Sequence, residues 1–214
     1  MLIRHVDPAH PDAGLLAQIA AIIERGGVVA GPTDTLYGLI ADPTNANAVL
    51  RLYDLKGRPG DRAIPLIASD RAQIETTLGP LPARARILAD RWWPGPLSLL
   101  IDAGPWVVPA VHGGTGRVAV RVPAHEVARA LCRGVGRPLT ATSANRSGAP
   151  AATTAAEVQA QLDEGLSAIL DAGPAPGGPP STIVDVTGPR PVLIRAGTIP
   201  WEHVLRCLEE ADAS

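Results

Sequence analysis

The feature that most constrains the fold is a helical pattern that passes directly into a short apolar strand near the start of the chain. From Asp12 to Arg25, leucine and isoleucine recur at helical spacing, and Gly26-Gly27 provides a stop. Val28 to Ala30 predicts a buried strand, which Gly31-Pro32 ends. Thr33 to Tyr37 therefore lie at a strand exit, where open α/β sheets bind ligands. Taken alone, T-D-T also fits a turn whose side chains satisfy local backbone groups.

Helical and strand patterns follow one another along the rest of the chain. Asn45 or Asn47 can cap a helix that ends at Gly57, because both are good N-cap residues. The Pro/Gly-rich segment 171–182 predicts a loop, with a mobile lid as one interpretation. Further helices are predicted at 70–78, 83–93, 125–133, 154–162 and 199–210, and strands at 64–68, 97–102, 117–123, 138–141, 183–186 and 191–194, the last two as a hairpin.

The composition indicates a globular chain with an aliphatic core. The 214 residues fit one domain, of which 46% are hydrophobic and 19% charged. Phenylalanine is absent and only six other aromatic residues occur, so aromatic platforms for single-stranded nucleic acid are disfavoured. We expect a single domain over residues 1–214 with no additional C-terminal domain.

Charge and cysteine content exclude several classes of protein. The net charge of −2 gives no global basic field of the kind that nucleic-acid-binding proteins carry, although a local basic cleft remains compatible with it. Cys132 and Cys207 form no C-x-x-C pair, and no histidine has a metal-ligand spacing, so we expect no metal site. The absence of a signal-peptide or membrane-spanning run favours a cytoplasmic protein without a membrane partner.

A cluster of cations follows the helix that ends at Gly57. Lys56 is the only lysine among nineteen basic residues, and Arg58 and Arg62 lie close behind it. Arginine offers a planar fork and lysine a compact point charge, and the two together suit polyanionic phosphate. The alternative for Lys56 is that one lysine survived by chance. A basic residue at a helix C-terminus also complements the helix dipole, but this accounts for only one of the three cations.

Two later segments add polar groups at strand positions. Arg117 and Arg121 lie four residues apart, so on a strand they share a face, and either internal carboxylates or a bound anion must neutralise them. Ser143 and Asn145 follow the strand predicted at 138–141, and their small polar side chains can hold a nucleotide or an amino acid.

In this order, the motifs P-T-D-T-L-Y-G-L, K-G-R-P, W-P-G-P-L, V-A-V-R-V-P, S-A-N-R-S-G, S-T-I-V-D and L-I-R-A-G resemble the YrdC-like family, the threonylcarbamoyl-adenylate synthases of tRNA modification. They span residues 32–197. The resemblance implies a three-layer α/β fold in which a twisted mixed sheet surrounds a deep, positively charged cleft.

The resemblance also implies roles for individual residues. Threonine would be held by Thr35, Tyr37, Arg121 and Ser181. ATP would be held by Lys56, Arg58, Arg62, Arg117, Ser143, Asn145 and Arg195, with Lys56 and Arg58 as the catalytic cations.

The reaction that the family implies joins L-threonine, bicarbonate and ATP into threonylcarbamoyl-AMP and pyrophosphate, which makes the enzyme a nucleotidyltransferase. Mg²⁺ would enter with ATP, and a downstream threonylcarbamoyl transferase complex would pass the product to tRNA. Direct contact with tRNA or double-stranded RNA stays open, as does a non-catalytic paralogue that binds RNA or nucleotide in the same cleft.

Overall fold

The computed structural model of the protein describes residues 1–57, 62–162 and 164–213. Within these ranges it contains eight helices: α1 (Ala13–Glu24), α2 (Ala46–Lys56), α3 (Arg71–Leu78), α4 (Ala83–Trp92), α5 (Pro109–His112), α6 (Glu126–Val135), α7 (Ala155–Leu162) and α8 (Trp201–Asp212). Asp12 caps α1 by accepting from Leu15 N, and Asn45 caps α2 by accepting from Ala48 N. Gly57 ends α2 in the left-handed conformation that favours glycine.

The described strands form two mixed sheets. One has the order β1 (Leu2–His5), β9 (Ala168–Asp171), β2 (Val29–Gly31), β3 (Gly38–Ile40) and β8 (Thr142–Ser143). The other has the order β11 (Val192–Arg195), β10 (Thr182–Asp185), β5 (Leu97–Asp102), β6 (Arg117–Arg121), β4 (Leu66–Ile67) and β7 (Leu139–Thr140).

Each sheet contains both parallel and antiparallel pairs of neighbouring strands. In the first sheet β9 is parallel to β1 and β2, whereas β3 is antiparallel to β2 and β8. In the second sheet β10 is parallel to β5 and antiparallel to β11, and β6 is antiparallel to β5 and parallel to β4.

Successive strand residues pack into different hydrophobic clusters, because side chains alternate across a strand. Val29, Ile40 and Ile67 join a cluster with α1 and α6. Their neighbours Ala30, Leu39 and Leu66 join a larger cluster that includes side chains of α2, α4, α7 and α8. Helices therefore cover both faces of the strands, which is the layered α/β arrangement that the resemblance implied.

Most of the predicted elements are confirmed, and the strand at 97–102 has the predicted bounds. The hydrogen-bonding pattern refines the prediction of one mixed sheet, because it divides the described strands between two. Four strands, β1, β3, β8 and β9, and the short helix α5 were not predicted. No described helix is long and apolar enough to cross a membrane.

Candidate active site

A cavity of about 1080 Å³ lies where the two sheets face α2 and the β2–β3 loop. Gly38 and Ser143 reach it from the first sheet, and Ser98, Arg121 and Arg195 from the second. Thr33 and Thr35 reach it from the β2–β3 loop, and Lys56 from α2. Its volume is at the upper end of the range for small-molecule sites, so it has room for a nucleotide beside an amino acid. Among the described residues, the lining includes four cationic side chains, Lys56, Arg62, Arg121 and Arg195, and no aspartate, glutamate or histidine.

The β2–β3 loop holds Arg121 in a fixed orientation. Its Nη1 donates to Asp34 Oδ1 at 2.5 Å, and both side chains of this ion pair are at least 90% buried. The Nη2 group lies 3.3 Å from Thr33 Oγ1 and 3.4 Å from Thr35 Oγ1. Of the two sequence interpretations of this arginine, an internal carboxylate partner is therefore present, and Arg121 also lines the cavity.

The two threonine hydroxyls of this loop have different hydrogen-bonding freedom. Thr33 Oγ1 donates to Leu36 O at 2.7 Å and accepts from the backbone nitrogens of Thr35 and Leu36. Its single proton is committed to the carbonyl, so Thr35 is the donor in the 3.1 Å contact between the two hydroxyls. Thr33 thus orders the loop, and Thr35 Oγ1, which accepts from Arg121 Nη2, keeps one further lone pair.

Ser181 and Arg195 lie together at the ends of β10 and β11. Arg195 donates from Nε and Nη2 to Ser181 O, at 3.1 and 2.8 Å, and from Nη2 to Ser181 Oγ at 2.9 Å. Burial lowers the pKa of Arg195, and the charge of Arg121 lowers it further. The lining thus contains two guanidinium groups that repel one another, and an anion bound between them would relieve that repulsion.

Lys56 fastens α2 to the segment that follows β8. Its ammonium donates to Ser143 O at 2.6 Å, to Asn145 O at 3.0 Å and to Asn145 Oδ1 at 3.2 Å, and the residue is 4% exposed. Ser143 Oγ donates to the same Asn145 Oδ1 at 2.6 Å. These three predicted ATP-binding residues therefore form one connected network on the cavity wall.

Tyr37 borders the cavity but has no exposed surface. Its hydroxyl donates to Gly173 O at 2.7 Å and accepts from Ala172 N at 3.2 Å. Burial raises the pKa of this phenol, and nearby Asp171 raises it further. The side chain thus anchors the start of segment 171–182, and its predicted contact with threonine stays a prediction.

Residues 172–181 form a loop that runs along the cavity, as predicted for 171–182, except that Asp171 ends β9 and Thr182 begins β10. Gly177 N donates to Thr35 O at 2.9 Å, and Ala175 N donates to Thr153 O at 2.8 Å. Gly178, Pro180 and Ser181 line the cavity. The loop is therefore tied to the same β2–β3 loop that holds Arg121, while its action as a lid stays a prediction.

The remaining predicted site residues have different positions. Arg62 lines the cavity, whereas Arg58 lies outside the described residues. Arg117 is not among the described lining residues and pairs with Asp185, 3.5 Å from Nη1 to Oδ2. It lies at the other end of β6 from Arg121, about 13 Å along the strand at 3.3 Å per residue. An internal carboxylate is thus the partner of Arg117 in this structure.

Sequence reasoning missed Ser98, and it placed Thr33 at the strand exit without giving this residue a role of its own. Ser98 is 1% exposed, lines the cavity and lies 2.9 Å from Ser181, Oγ to Oγ. Its signal in the sequence was a lone hydroxyl in the otherwise apolar strand L-S-L-L-I. Among the described residues there is no group of three or more histidine, cysteine, aspartate or glutamate side chains that could hold a metal ion.

The chain was compared with protein-family models and known proteins. Residues 21–197 match the Sua5/YciO/YrdC family model, which carries the description "Telomere recombination". The Bacillus subtilis threonylcarbamoyl-AMP synthase is 41% identical over 190 residues, which cover 88% of this chain and 55% of that protein. The threonylcarbamoyl-AMP synthase of Alkalilimnicola ehrlichii is 42% identical over 161 residues, 75% of this chain and 84% of the relative.

Solved structures give the same relationship. The crystal structure of Pyrococcus abyssi Sua5 complexed with L-threonine has a TM-score of 0.92 and 37% identity, and the match covers 98% of this chain and 62% of that one. The chain thus spans little more than half the length of the Bacillus and Pyrococcus proteins.

Proposed function

The chain belongs to the Sua5/YrdC family, and from this premise we propose that it is a threonylcarbamoyl-AMP synthase that uses L-threonine, bicarbonate and ATP. The observation that carries the proposal is a cavity whose lining combines hydroxyl groups with cationic side chains. We assign its lining residues Thr35, Arg121 and Ser181 to an amino-acid wall, and Lys56, Arg62, Ser143 and Asn145 to a phosphate wall. The names of the relatives and the threonine complex of the Pyrococcus protein support this assignment.

In the proposed reaction, the amine of threonine attacks the carbon of bicarbonate and water leaves, or it attacks CO₂ derived from bicarbonate and loses a proton; either route gives a carbamate. A carbamate oxygen then attacks the α-phosphorus of ATP. The bond to the bridging oxygen of the β-phosphate breaks, pyrophosphate leaves with the electron pair, and threonylcarbamoyl-AMP forms. This second step makes the protein a nucleotidyltransferase.

The described residues suit a reaction that depends on positioning and charge. Arg121 and Arg195 can hold the threonine carboxylate between them, because an anion there offsets their mutual repulsion. Lys56 holds Ser143 and Asn145 in place, and Arg62 adds positive charge for the phosphates. Fixed donors and cations of this kind stabilise the charge that develops on transferring phosphates.

Mg²⁺ enters this proposal as part of the substrate Mg–ATP. The described lining contains no carboxylate, so these side chains do not form a magnesium site of their own. The phosphate oxygens of the nucleotide are suitable ligands for this ion.

The product determines the biological setting that we propose. A mixed anhydride of a carbamic acid and AMP is an activated acyl donor, so a downstream threonylcarbamoyl transferase complex would consume it in the modification of tRNA. A role in tRNA modification agrees with the cytoplasmic setting predicted from the sequence. Direct binding of tRNA or double-stranded RNA to this chain would be an additional property.

Pyrophosphate release tests the proposal. Purified protein is incubated with Mg–ATP and bicarbonate, and pyrophosphate is measured with and without L-threonine. We expect release that depends on threonine, with threonylcarbamoyl-AMP detected by mass spectrometry. Release that is absent or independent of threonine would refute the synthase and favour the non-catalytic paralogue that binds RNA or nucleotide.

A further inference from the structure

We infer that Ser98 is a positioning residue of the amino-acid wall, which directs the hydroxyl of Ser181 toward an acceptor group of the substrate. Ser98 lies on β5, beside β10, and the strands pair in parallel with Ser98 opposite Ile183. Its hydroxyl is 2.9 Å from that of Ser181, and both residues line the cavity. The inference rests on the proposed function for the identity of the substrate.

The hydrogen-bonding capacity of Ser181 supports this role. A serine hydroxyl has one proton to donate and two lone pairs that accept. Ser181 Oγ already accepts from Arg195 Nη2 at 2.9 Å. Its proton can therefore go either to Ser98 Oγ or to a ligand in the cavity.

Ser98 provides the compensating bond when a ligand is present. If a substrate oxygen takes the proton of Ser181, the second lone pair of Ser181 is free to accept from Ser98 Oγ. The hydroxyls then donate in one direction, from Ser98 to Ser181 and from Ser181 to the substrate. Because Arg195 and Ser98 both donate to Ser181 in this state, the group at Ser181 must be an acceptor, such as the carboxylate of threonine.

Ser98 and Ser181 are both buried, so the loss of the Ser98 hydroxyl should weaken substrate binding. Ser98 is 1% exposed and Ser181 7% exposed. Without Ser98, Ser181 Oγ keeps Arg195 as a donor but has no donor for its second lone pair, and the loss of a buried hydrogen bond is destabilising. Removal of the Ser98 hydroxyl therefore costs the ligand-bound state more free energy than the free state, because without a ligand the Ser181 hydroxyl can rotate its proton.

Threonine affinity tests this inference directly, because calorimetric binding does not depend on turnover. Loss of one neutral hydrogen bond predicts that Ser98→Ala weakens threonine binding about 5- to 10-fold. Ser98→Thr keeps the hydroxyl and restores affinity to within about twofold of wild type. The KM for ATP changes less than about twofold in both variants, because Ser98 touches the amino-acid wall.

Thr182→Val is a matched control. Thr182 is fully buried on β10 next to Ser181, and its hydroxyl donates to Ile199 O at 2.8 Å. We expect its removal to lower the Tm without the loss in threonine affinity that Ser98→Ala gives. Equal affinities of wild type and Ser98→Ala, or equal losses in Ser98→Ala and Ser98→Thr, would overturn the inference. An equal loss in Thr182→Val would also overturn it.

The proposed function fails separately, when wild-type protein releases no threonine-dependent pyrophosphate. In that case the calorimetric comparison of Ser98→Ala with wild type still decides whether Ser98 supports an amino-acid site.

Discussion

Lys56 shows at the scale of one residue why lysine and arginine are not equivalent here. Its ammonium reaches three oxygens of Ser143 and Asn145 in a nearly closed space. A guanidinium is larger and planar, so Lys56→Arg would displace this wall despite the conserved charge. We expect kcat/KM for ATP to fall at least about 10-fold, as measured by pyrophosphate release.

Arg51→Lys is the matched control for this substitution. Arg51 lies on the same helix, is exposed, and donates to Gly26 O at 3.3 Å. The opposite exchange of one cation for another should leave kcat/KM within about twofold of wild type. If Lys56→Arg instead has wild-type kinetics, the presence of a single lysine at this position is explained by chance.

Arg117 and Arg195 are both predicted to bind ATP, but the structure gives them different positions relative to the cavity. Arg195 lies beside Ser181 and lines the cavity, whereas Arg117 is paired with Asp185 outside its described lining. We expect Arg195→Gln to raise the KM for ATP about 10-fold or more, because it removes a cation from the cavity lining. Arg117→Gln breaks a half-exposed pair and should change the KM less than about twofold. A large effect of Arg117→Gln would place Arg117 near the nucleotide.

The residue types around the cavity were easier to predict from the sequence than the contacts that these residues make with other strands. The residue types along the predicted strands and around Gly57 singled out Lys56, Arg121 and Ser143, and all three line the cavity. The partners Asp34 and Asp185 could not be assigned, because they depend on which strands are neighbours and in which register. The same holds for Ser98, whose contact with Ser181 exists only because β5 pairs with β10.

The two cysteines should differ in reactivity. Complete burial raises the pKa of Cys132 to about 12. A thiol reacts as its thiolate, so at pH 8 the native side chain should be inert. Cys207 is partly exposed, and burial raises its pKa as well, so it should react slowly. Mass spectrometry after iodoacetamide treatment should find Cys207 modified in native protein and both cysteines in urea. Early modification of Cys132 would contradict this burial.

At the scale of elements, Gly197 fixes how the segment after β11 packs on the start of β10. A Cβ at this position would lie 2.2 Å from Pro180 O and 2.5 Å from the backbone carbon of Ser181. The backbone must move to accept it, so Gly197→Ala should lower the free energy of unfolding by about 2 kcal/mol. Because Ser181 moves with that backbone, threonine affinity should also fall. Urea denaturation and calorimetry measure the two effects.

Gly188→Ala is the control in the same hairpin. A Cβ there has Arg190 O as its nearest neighbour at 3.7 Å, which is ordinary contact. Stability should therefore change by less than about 0.5 kcal/mol. Equal effects of the two substitutions would show that the close approach of Gly197 is not what positions Ser181.

Element boundaries were predictable where local chemistry determines them. Asn45 caps α2 through its own side chain, and Gly57 ends the helix in a conformation that glycine favours. The unpredicted strands β1, β3, β8 and β9 have two to four residues and weak patterns. Their assignment depends on pairing with β2 and with one another, so tertiary contacts rather than local sequence define them.

At the scale of the whole molecule, ligand binding should stabilise the two sheets together, because residues of both sheets line the cavity. A ligand that binds only the folded state stabilises it by about 2.7 kcal/mol at 100 times its Kd. For a chain of this size each kcal/mol corresponds to about 2–4 °C in Tm. We therefore expect threonine, and separately Mg²⁺ with an ATP analogue that has a methylene between the α- and β-phosphorus, each to raise the Tm by about 5–10 °C.

Both ligands together should raise the Tm more than either alone, because the two walls are distinct. Arg195 lies at Ser181 and is predicted to contact ATP, so Arg195→Gln should reduce both shifts. Differential scanning fluorimetry of wild type and this variant, with each ligand alone and with both together, measures all six shifts in Tm. A shift reduced for only one ligand would assign Arg195 to a single wall, and mutually exclusive shifts would mean that threonine and nucleotide compete for one position in the cavity.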